Sequence, residues 1–359
     1  MKGGGVTVGT HPKYQKLELL DPKKFTSAAL LPLGECGSSS SLQGTSIDLS
    51  QTNTSFIEFE DDTSSGDGLL VTDDTSCLQC FSEKGGAPYI SKCHHVAMYL
   101  TQPYILKGYR VDHRWSDAAA SLFTLHNETW NVWSHLVLFL FFLWRTVVFL
   151  FHPGYSASWL DKLPFIVFLL SVQVCALASV AFHLFSCVSE KASLKLCACD
   201  FAGILILIGG SYISGLYYGF FCMQLMRHIY IGVITAVTVF GAYCSCCSWF
   251  YTYEFRHLRI GVFGGLAGLG IVPTIHWVLT NDFHGDGRGV LLHGIVAMYS
   301  LYACGLIFYV SRFPERHFPG LFDIFLSSHQ IWHLFVALGA YVFYRCLENY
   351  SVFRIQSGC

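Results

Sequence analysis

Long apolar runs separated by short polar breaks dominate the chain from about residue 134 to residue 347. A membrane-spanning helix needs about 20 mostly apolar residues, and seven runs of about that length are present. They cover roughly residues 134–151, 163–185, 200–221, 229–249, 260–280, 289–311 and 328–347. The pattern predicts an all-α membrane protein built as a seven-transmembrane helix bundle. The first run contains Arg145, which must either snorkel or pair.

Composition and charge agree with a membrane protein. Of the 359 residues, 53% are hydrophobic and only 13% are charged, whereas a soluble domain carries about 25% charged residues. The formal net charge is −2, so nothing points to a nucleic-acid partner. An ordinary soluble enzyme and a basic nucleic-acid binder are therefore both excluded.

Basic residues in the connecting segments predict the orientation. The segments on the N-terminal side of the membrane contain nine Lys and Arg residues, against five on the opposite side. An excess of Lys and Arg marks the cytosolic side. The N-terminus is therefore predicted to be cytosolic and the C-terminus to lie outside the cell or in a lumen. A G-protein-coupled receptor has the opposite orientation, which disfavours that class.

The same patterns divide the chain into four segments. Residues 1–95 are predicted to be a flexible, disordered, acidic cytosolic tail rich in Ser and Gly. The others are a juxtamembrane segment at 96–133, the transmembrane domain at 134–347 and a short lumenal C-terminus at 348–359. Between Tyr109 and Trp130, mixed aromatic and charged residues favour an interfacial amphipathic helix over a plain linker.

Five polar side chains in or at the ends of spans are candidate site residues, because polar groups in a membrane are costly and often functional. Ser179 and His183 are spaced i, i+4 in the second span, and His329 and His333 have the same spacing in the seventh. Each pair therefore shares one helix face. Asp200 opens the third span. The predicted topology places all five at one depth near the cytosolic side.

Three imidazoles at one depth suit zinc, because catalytic zinc sites often keep three protein ligands and an open fourth position. The predicted metal ligands are His183, His329 and His333. The predicted catalytic residues are Asp200, which could orient a histidine or accept a proton from water, and Ser179, which could hold a ligand or a substrate carbonyl. The alternative is that the histidines merely link helices. Two others, His135 and His276, are predicted to be structural.

The chain contains 15 cysteines. Eleven lie at or beyond Cys175, mostly in apolar segments, where thiols acting as small apolar side chains are expected rather than disulfides. Examples are Cys222, Cys244 and Cys304. In the tail, Cys77-x2-Cys80 and Cys93-His94-His95 could form a small zinc site, although a loop cysteine cluster is the simpler interpretation.

Four motifs resemble the progestin and adipoQ receptor family, which is related to hemolysin III proteins. They are Asn127-Glu128-Thr129-x-Asn131-x-Trp133-Ser134-His135, Ser179-x3-His183, Asp200-x2-Gly203 and His329-x3-His333. They occur in the family's order and at the expected span ends. Further stretches, among them Gly270 to Trp277 and Ser327 to His333, resemble the branch of the family that traps Raf kinase at the Golgi.

The resemblance implies seven spans, a cytosolic N-terminus and zinc held by His183, His329 and His333, with Asp200 close to the bound water. It also implies a Golgi membrane signalling scaffold or receptor that tethers Raf kinase and negatively regulates MAP-kinase signalling. The tail, residues 1–95, does not match that branch. For the tail, a partner other than Raf kinase is therefore an alternative.

Two other functions remain open alongside the scaffold. One is a zinc-dependent lipid amide hydrolase of ceramidase type, for which the three histidines and Asp200 supply the chemistry. The other is a membrane receptor for a steroid or an adiponectin-like ligand, at the plasma membrane rather than the Golgi. The predicted lumenal loops, at about 152–162, 222–228 and 281–288, are short platforms for a large hormone.

Overall fold

The computed structural model describes residues 89–93, 96–151, 158–247, 250, 255–280 and 288–359. An antiparallel hairpin comes first, formed by β1 (Tyr89–Lys92) and β2 (Lys107–Val111). The helices that follow are α1 (Trp115–Ala120), α2 (Thr129–Phe151), α3 (Trp159–Phe185), α4 (Glu190–Gly219), α5 (Gln224–Ser245), α6 (Arg256–Leu269), α7 (Ile271–Thr280), α8 (Arg288–Ser311) and α9 (Ser328–Ser357).

The predicted helix bundle is confirmed. In the described part of the chain, six helical segments are long and apolar enough to cross a membrane, with α6 and α7 together forming one of them. The seventh predicted span lies on α9, which is 30 residues long but less apolar because its second half contains Arg345, Glu348 and Arg354. This helix continues to Ser357, beyond the predicted end of the span at 347.

Serine residues begin three of the long helices. Ser158 accepts a hydrogen bond from the backbone N–H of Asp161 at the start of α3, and Ser189 does the same for Ala192 in α4. At the start of α9, Ser327 and Gln330 form a reciprocal capping box. Such side chains satisfy amide groups that have no partner in the first helical turn. The apolar runs therefore become helices with defined starting points.

The fifth predicted span is one run in the sequence but is broken into α6 and α7 at Gly270. The Tyr212 hydroxyl donates to the carbonyl of Ala267, which also accepts from the Tyr299 hydroxyl at 2.8 Å. A Cβ at position 270 would collide with the Tyr212 ring. Pro273 lacks a backbone donor to the preceding turn. These residues together explain the interruption.

The juxtamembrane segment is not the continuous amphipathic helix that the sequence predicted between Tyr109 and Trp130. It contains β2, the short α1 and one 3-10 turn, and α2 begins at Thr129. The backbone φ is +91° at Gly108 and +56° at Asp112, and neither value fits a helix. A Cβ at position 108 would lie 2.7 Å from Ile324, so close packing also requires glycine there.

We call residues 89–93 and 96–128 the cap, because they dock on the end of the bundle where α3 ends and α9 begins. The Asn127 N–H donates to the Gly108 carbonyl at 2.9 Å. The Leu106 N–H donates to the buried Asp323 carboxylate at 3.1 Å. The first bond ties β2 to the residues that lead into α2, and the second fixes the cap to the 312–327 connection before α9.

Aromatic side chains fill the interior between α2, α3 and α9. Phe142 packs edge-on against Phe168, and both contribute to one large cluster with Phe165 and Tyr344. Arg145 pairs with Glu348 of α9, with a 2.6 Å separation between Nη2 and Oε1. The expectation that Arg145 would snorkel or pair is met by pairing.

Two of the described cysteines form a disulfide, contrary to the expectation of free thiols. Cys222, after α4, and Cys359 form a disulfide with a Cα–Cα distance of 5.4 Å. The prediction of a free thiol at Cys222 was wrong because α9 continues to Ser357 and carries the last residue to the end of α4. Cys175 is buried as expected, whereas Cys304 is exposed.

Candidate metal centre

Three histidines from two helices meet at the capped end of the bundle. His183 lies in the last turn of α3, and His329 and His333 lie in the first two turns of α9. One ring nitrogen from each lies within 4.8 Å of the other two, and the Nε2 atoms of His183 and His329 are 3.3 Å apart. The predicted cluster is confirmed as a group that could hold a metal ion.

Glu128 orients the first of these histidines. Its Oε2 atom accepts a hydrogen bond from His183 Nδ1 at 2.7 Å, which leaves the Nε2 atom of His183 facing the cluster. The carboxylate also accepts from the side-chain amides of Asn131 and Gln102, each at 2.5 Å. Burial raises the pKa of Glu128, but His183 and the Asn131 amide lower it more, so the pKa lies well below its usual range. Such partners fix the tautomer of a metal-ligating imidazole.

Arg110 of the cap holds the end of α3. Its guanidinium donates to the carbonyl oxygens of His183 at 2.6 Å and Leu184 at 2.8 Å, and to the Ser121 hydroxyl at 2.8 Å. The last carbonyls of a helix have no internal partner and attract positive charge. Burial lowers the pKa of Arg110, but a guanidinium remains charged. Arg110 therefore fixes the backbone that carries His183.

The start of α9 is held from the other side by a buried carboxylate. Glu315 accepts hydrogen bonds from the Ser328 backbone N–H at 2.7 Å and from the Ser328 hydroxyl. Gln330 donates to the Ile324 carbonyl at 2.9 Å. A negative charge at a helix N-terminus is stabilising. These contacts set the position of His329 one residue after Ser328.

Ser134 and His135 of α2 complete the surroundings of His333. The Ser134 hydroxyl lies 3.4 Å from His333 Nδ1, and the His135 ring stacks on the His333 ring with centroids 3.9 Å apart. Both ring nitrogens of His135 are buried with no hydrogen-bond partner in the described structure. His135 is thus a neighbour of the cluster rather than one of the three converging residues.

Asp200 and Ser179 lie together beside the cluster. Both side chains are buried, at 9% and 1% exposure. The Asp200 carboxylate faces Ser179 across α3 and α4 and is close enough to His183 to interact electrostatically. Among the described residues, the converging metal-capable group contains the three histidines and not Asp200. The catalytic roles of Asp200 and Ser179 stay a prediction.

Other sequence candidates are located away from the cluster or outside the described residues. His276 bonds to the Tyr230 hydroxyl through Nδ1 at 2.8 Å, which is the structural role expected of it. The tail sites Cys77, Cys80, His94 and His95 lie outside the described residues. Cys93 is described in the cap, where its backbone N–H donates to the Leu106 carbonyl at 3.0 Å.

Sequence reasoning gave no individual role to Glu128, Ser134 or Arg110. The first two stand in the run Asn127 to His135, so the motif pointed to the region without assigning the contacts. Arg110 gave no signal, because its role depends on a bond to a helix end 73 residues away in sequence. The geometry alone reveals these three supporting residues.

The fold and the cluster define a heptahelical membrane protein with three buried or half-buried histidines at one end. A family model described as "Haemolysin-III related" matches residues 123–344. The chain belongs to that family.

Curated relatives give the same answer. The chain is 35% identical over 263 residues to "Progestin and adipoQ receptor family member 3" of Homo sapiens, covering 72% of this chain and 84% of the relative. It is 36% identical over 267 residues to "Heptahelical transmembrane protein 1" of Arabidopsis thaliana, covering 71% and 79%. It is 33% identical over 236 residues to "Adiponectin receptor protein" of Drosophila melanogaster, covering 66% and 53%. Two of these relatives are named as receptors, and the third is named as a heptahelical transmembrane protein.

Proposed function

We propose that this protein is a zinc-dependent lipid amide hydrolase with its reaction centre at the His183, His329 and His333 cluster. The observation that carries the proposal is the number of converging ligands. Structural zinc sites are usually closed by four protein ligands, whereas catalytic sites keep three and leave one position open. In the described structure, three residues converge and no fourth joins them.

The residues present fit zinc for a second reason. Glu128 binds Nδ1 of His183 at 2.7 Å, so that Nε2 is the nitrogen left for a metal. When bound, zinc polarises a carbonyl group and makes water a nucleophile near neutral pH.

Asp200 and Ser179 would supply the proton transfer and the substrate contact. The Asp200 carboxylate takes a proton from the attacking water and returns it to the nitrogen of the departing amine as the C–N bond breaks. The Ser179 hydroxyl donates a hydrogen bond to the amide carbonyl and so orients the substrate. The two residues are buried near each other, and the Ser179 hydroxyl has no hydrogen-bond partner among the described residues, which leaves it available to a substrate. Their burial excludes competing bulk water.

A lipid is the substrate class that suits this location. The cluster lies at the ends of apolar helices, so a substrate would reach it from the membrane. Deeper in the bundle an apolar cavity of about 50 Å³ is lined by residues that include Tyr212, Met298 and Phe343. An acyl chain would extend toward this cavity while a ceramide-like amide lies beside Asp200.

The test is zinc content and ceramide turnover measured on the same purified preparations. We expect about one zinc per wild-type chain, and a substantial loss in the double variant His329→Ala, His333→Ala. Asp200→Asn should keep zinc but lose turnover, because it removes the proton acceptor alone. His276→Ala is the matched control, since that histidine binds Tyr230 away from the cluster. Zinc-loaded wild type without turnover on any ceramide would overturn the hydrolase.

A second function is a Golgi signalling scaffold that tethers Raf kinase and dampens MAP-kinase signalling. It is favoured by the stretches that resemble the Raf-trapping branch and by the 35% identity to family member 3. Zinc would then serve structure alone. Overexpression should move Raf kinase to the Golgi, and the movement should persist in Asp200→Asn. An unchanged kinase location would exclude the tether.

The Drosophila relative is named as an adiponectin receptor, which favours a membrane receptor for a steroid or an adiponectin-like ligand as a further proposal. The scaffold is expected at the Golgi membrane and the receptor at the plasma membrane, so the location of the protein distinguishes these two proposals. Imaging of the tagged chain at its natural expression level decides between them, because a receptor for an external ligand must reach the cell surface.

A further inference from the structure

Five cysteines are concentrated where α4 begins and α5 ends. Cys197 and Cys199 lie in the first third of α4, and Cys244, Cys246 and Cys247 lie at the end of α5. All five are free thiols, and Cys199 and Cys246 are exposed. We call these five residues the cysteine cluster.

The two groups lie at the same depth because α4 and α5 pack side by side in opposite directions. A Cβ added at Gly241 would touch Leu205, and one added at Gly209 would touch Thr238. Position 205 therefore faces position 241, and position 209 faces position 238. Each step forward along α4 is matched by a step back along α5, so the numbers of facing residues add up to 446 or 447. The same register places the start of α4, with Cys199, beside the residues that end α5.

Cysteine chemistry differs between the two ends of α4. From Cys199 to Gly219 this helix rises about 30 Å, which is the thickness of the hydrocarbon core. Beyond the far end, Cys222 is joined to Cys359 by a disulfide, whereas the near end holds free thiols only. Disulfides persist in oxidising compartments and free thiols in the cytosol. The cysteine cluster therefore faces the cytosolic boundary of the membrane.

We propose that the cysteine cluster is a site of S-acylation by long-chain fatty acyl groups. Exposed juxtamembrane cysteines are the usual acceptors of this modification. A cysteine thiolate attacks the carbonyl carbon of a fatty acyl-coenzyme A, a new thioester S–C bond forms, and the old thioester bond breaks. Coenzyme A leaves as its thiol with the proton. The acyl donor is the only co-reactant, and a membrane acyltransferase delivers it.

The surface next to the cluster suits an attached acyl chain. Phe240 and Tyr243 on α5 are 67% and 70% exposed, so they present an apolar track that leads from the cluster into the bilayer. Lys191 and Lys195 are exposed at the start of α4, where lipid headgroups attract positive charge. A chain linked to Cys246 would lie along this track with its thioester at headgroup level.

Two other uses of the thiols agree less well with the structure. In the described residues, three metal-capable atoms converge only at the histidines, so the cysteine cluster does not form a metal site. None of the five is paired in a disulfide. The thiols are therefore unpaired and can act as alternative acceptors, but they do not converge as ligands of one ion.

The test is thioester capture from cells that express the full chain. Free thiols are blocked, thioesters are cleaved with neutral hydroxylamine, and the released thiols are coupled to a maleimide polymer that shifts the protein on a gel. Wild type should show at least one hydroxylamine-dependent shift. The quintuple variant Cys197→Ser, Cys199→Ser, Cys244→Ser, Cys246→Ser, Cys247→Ser should lose at least nine-tenths of it. Cys304→Ser is the matched control, because Cys304 is also exposed but lies inside α8, and its shift should equal that of wild type.

Peptide mass spectrometry of the wild-type protein is a second measurement that does not depend on folding of the variant. It should find the hydroxylamine-released thiol on a peptide that contains Cys199 or Cys246. Absence of a hydroxylamine-dependent shift in wild type overturns the proposal. A shift that the quintuple variant retains also overturns it. So does a shift that a thiol reductant removes without hydroxylamine, since that result identifies a disulfide.

Discussion

Glu128→Gln is the substitution that most directly tests how the histidine cluster is held. The carboxylate accepts from three donors: His183 Nδ1 at 2.7 Å, and Asn131 and Gln102 at 2.5 Å each. The substituted amide has one oxygen and one NH₂ group. It can therefore accept from His183 only if its NH₂ group faces a second donor. The change keeps the shape of the side chain and removes its charge.

The expected magnitude follows from these contacts. A hydrogen bond to a charged group contributes about 1.5–3 kcal/mol. Loss of an outer partner of a metal-ligating histidine typically costs about 10–100-fold in metal affinity, and tenfold is about 1.4 kcal/mol. We therefore expect zinc affinity to fall about 10–100-fold in Glu128→Gln. The protein should still fold, because the interior packing of α2, α3 and α9 is unchanged.

The assay is competition between the purified protein and a chelator of known zinc affinity. Glu348→Gln is the matched control, since it makes the same chemical change in a carboxylate that pairs with Arg145 at 2.6 Å. It should leave zinc affinity within about twofold of wild type. Equal zinc affinity in Glu128→Gln and wild type would refute the role of Glu128, and an equal loss in both variants would show a general effect on folding.

Three further predictions concern folding stability. Arg110→Met should lower the free energy of unfolding by about 3 kcal/mol, because the carbonyls of His183 and the next residue lose their hydrogen-bond donor. Denaturant titration in detergent measures this free energy, and a change below about 0.5 kcal/mol contradicts the prediction. Burial and Arg110 lower the pKa of His126 to about 3, so the unfolded state binds more protons below about pH 6.5. The free energy of unfolding should therefore fall as pH drops, by about 2 kcal/mol at pH 5. The dependence of this free energy on pH should be weaker in His126→Asn, and an equal dependence in the variant and the wild type would contradict the prediction. Arg145→Met should lower the free energy of unfolding by about 1–3 kcal/mol, because Glu348 loses its charge partner on α2 and keeps Tyr344 and Arg345 of its own helix. The double variant Arg145→Met, Glu348→Gln should recover this loss, and no recovery would count against the pair.

Much of the bundle and the histidine cluster could be predicted because both depend on local periodicity. The spacing from His329 to His333 places both on one face of α9. The alternation of helix directions then brings His183 of α3 to the same depth, where the structure has it. No long-range contact had to be known for this inference, because the membrane orders the helix ends.

Predictions that depended on contacts distant in sequence were wrong or missing. The segment from Tyr109 to Trp130 was predicted as an amphipathic helix because it mixes aromatic and charged residues. Its first residues instead belong to β2, which ends at Val111, and the backbone at Asp112 has a positive φ. The disulfide between Cys222 and Cys359 joins residues 137 positions apart. Glu128 and His183 are 55 residues apart. Local spacing contains no information about such pairs.

The transmembrane helices need the cap in order to keep the histidine cluster in place. A version of the chain reduced to its spans would keep all three histidines yet lose Gln102 and Arg110, which hold Glu128 and the end of α3. An exchange of tails between relatives is therefore compatible with a working centre only when the crossover lies upstream of Gln102. The cap is consequently a unit that must be kept together with the membrane core if the histidine cluster is to stay in place.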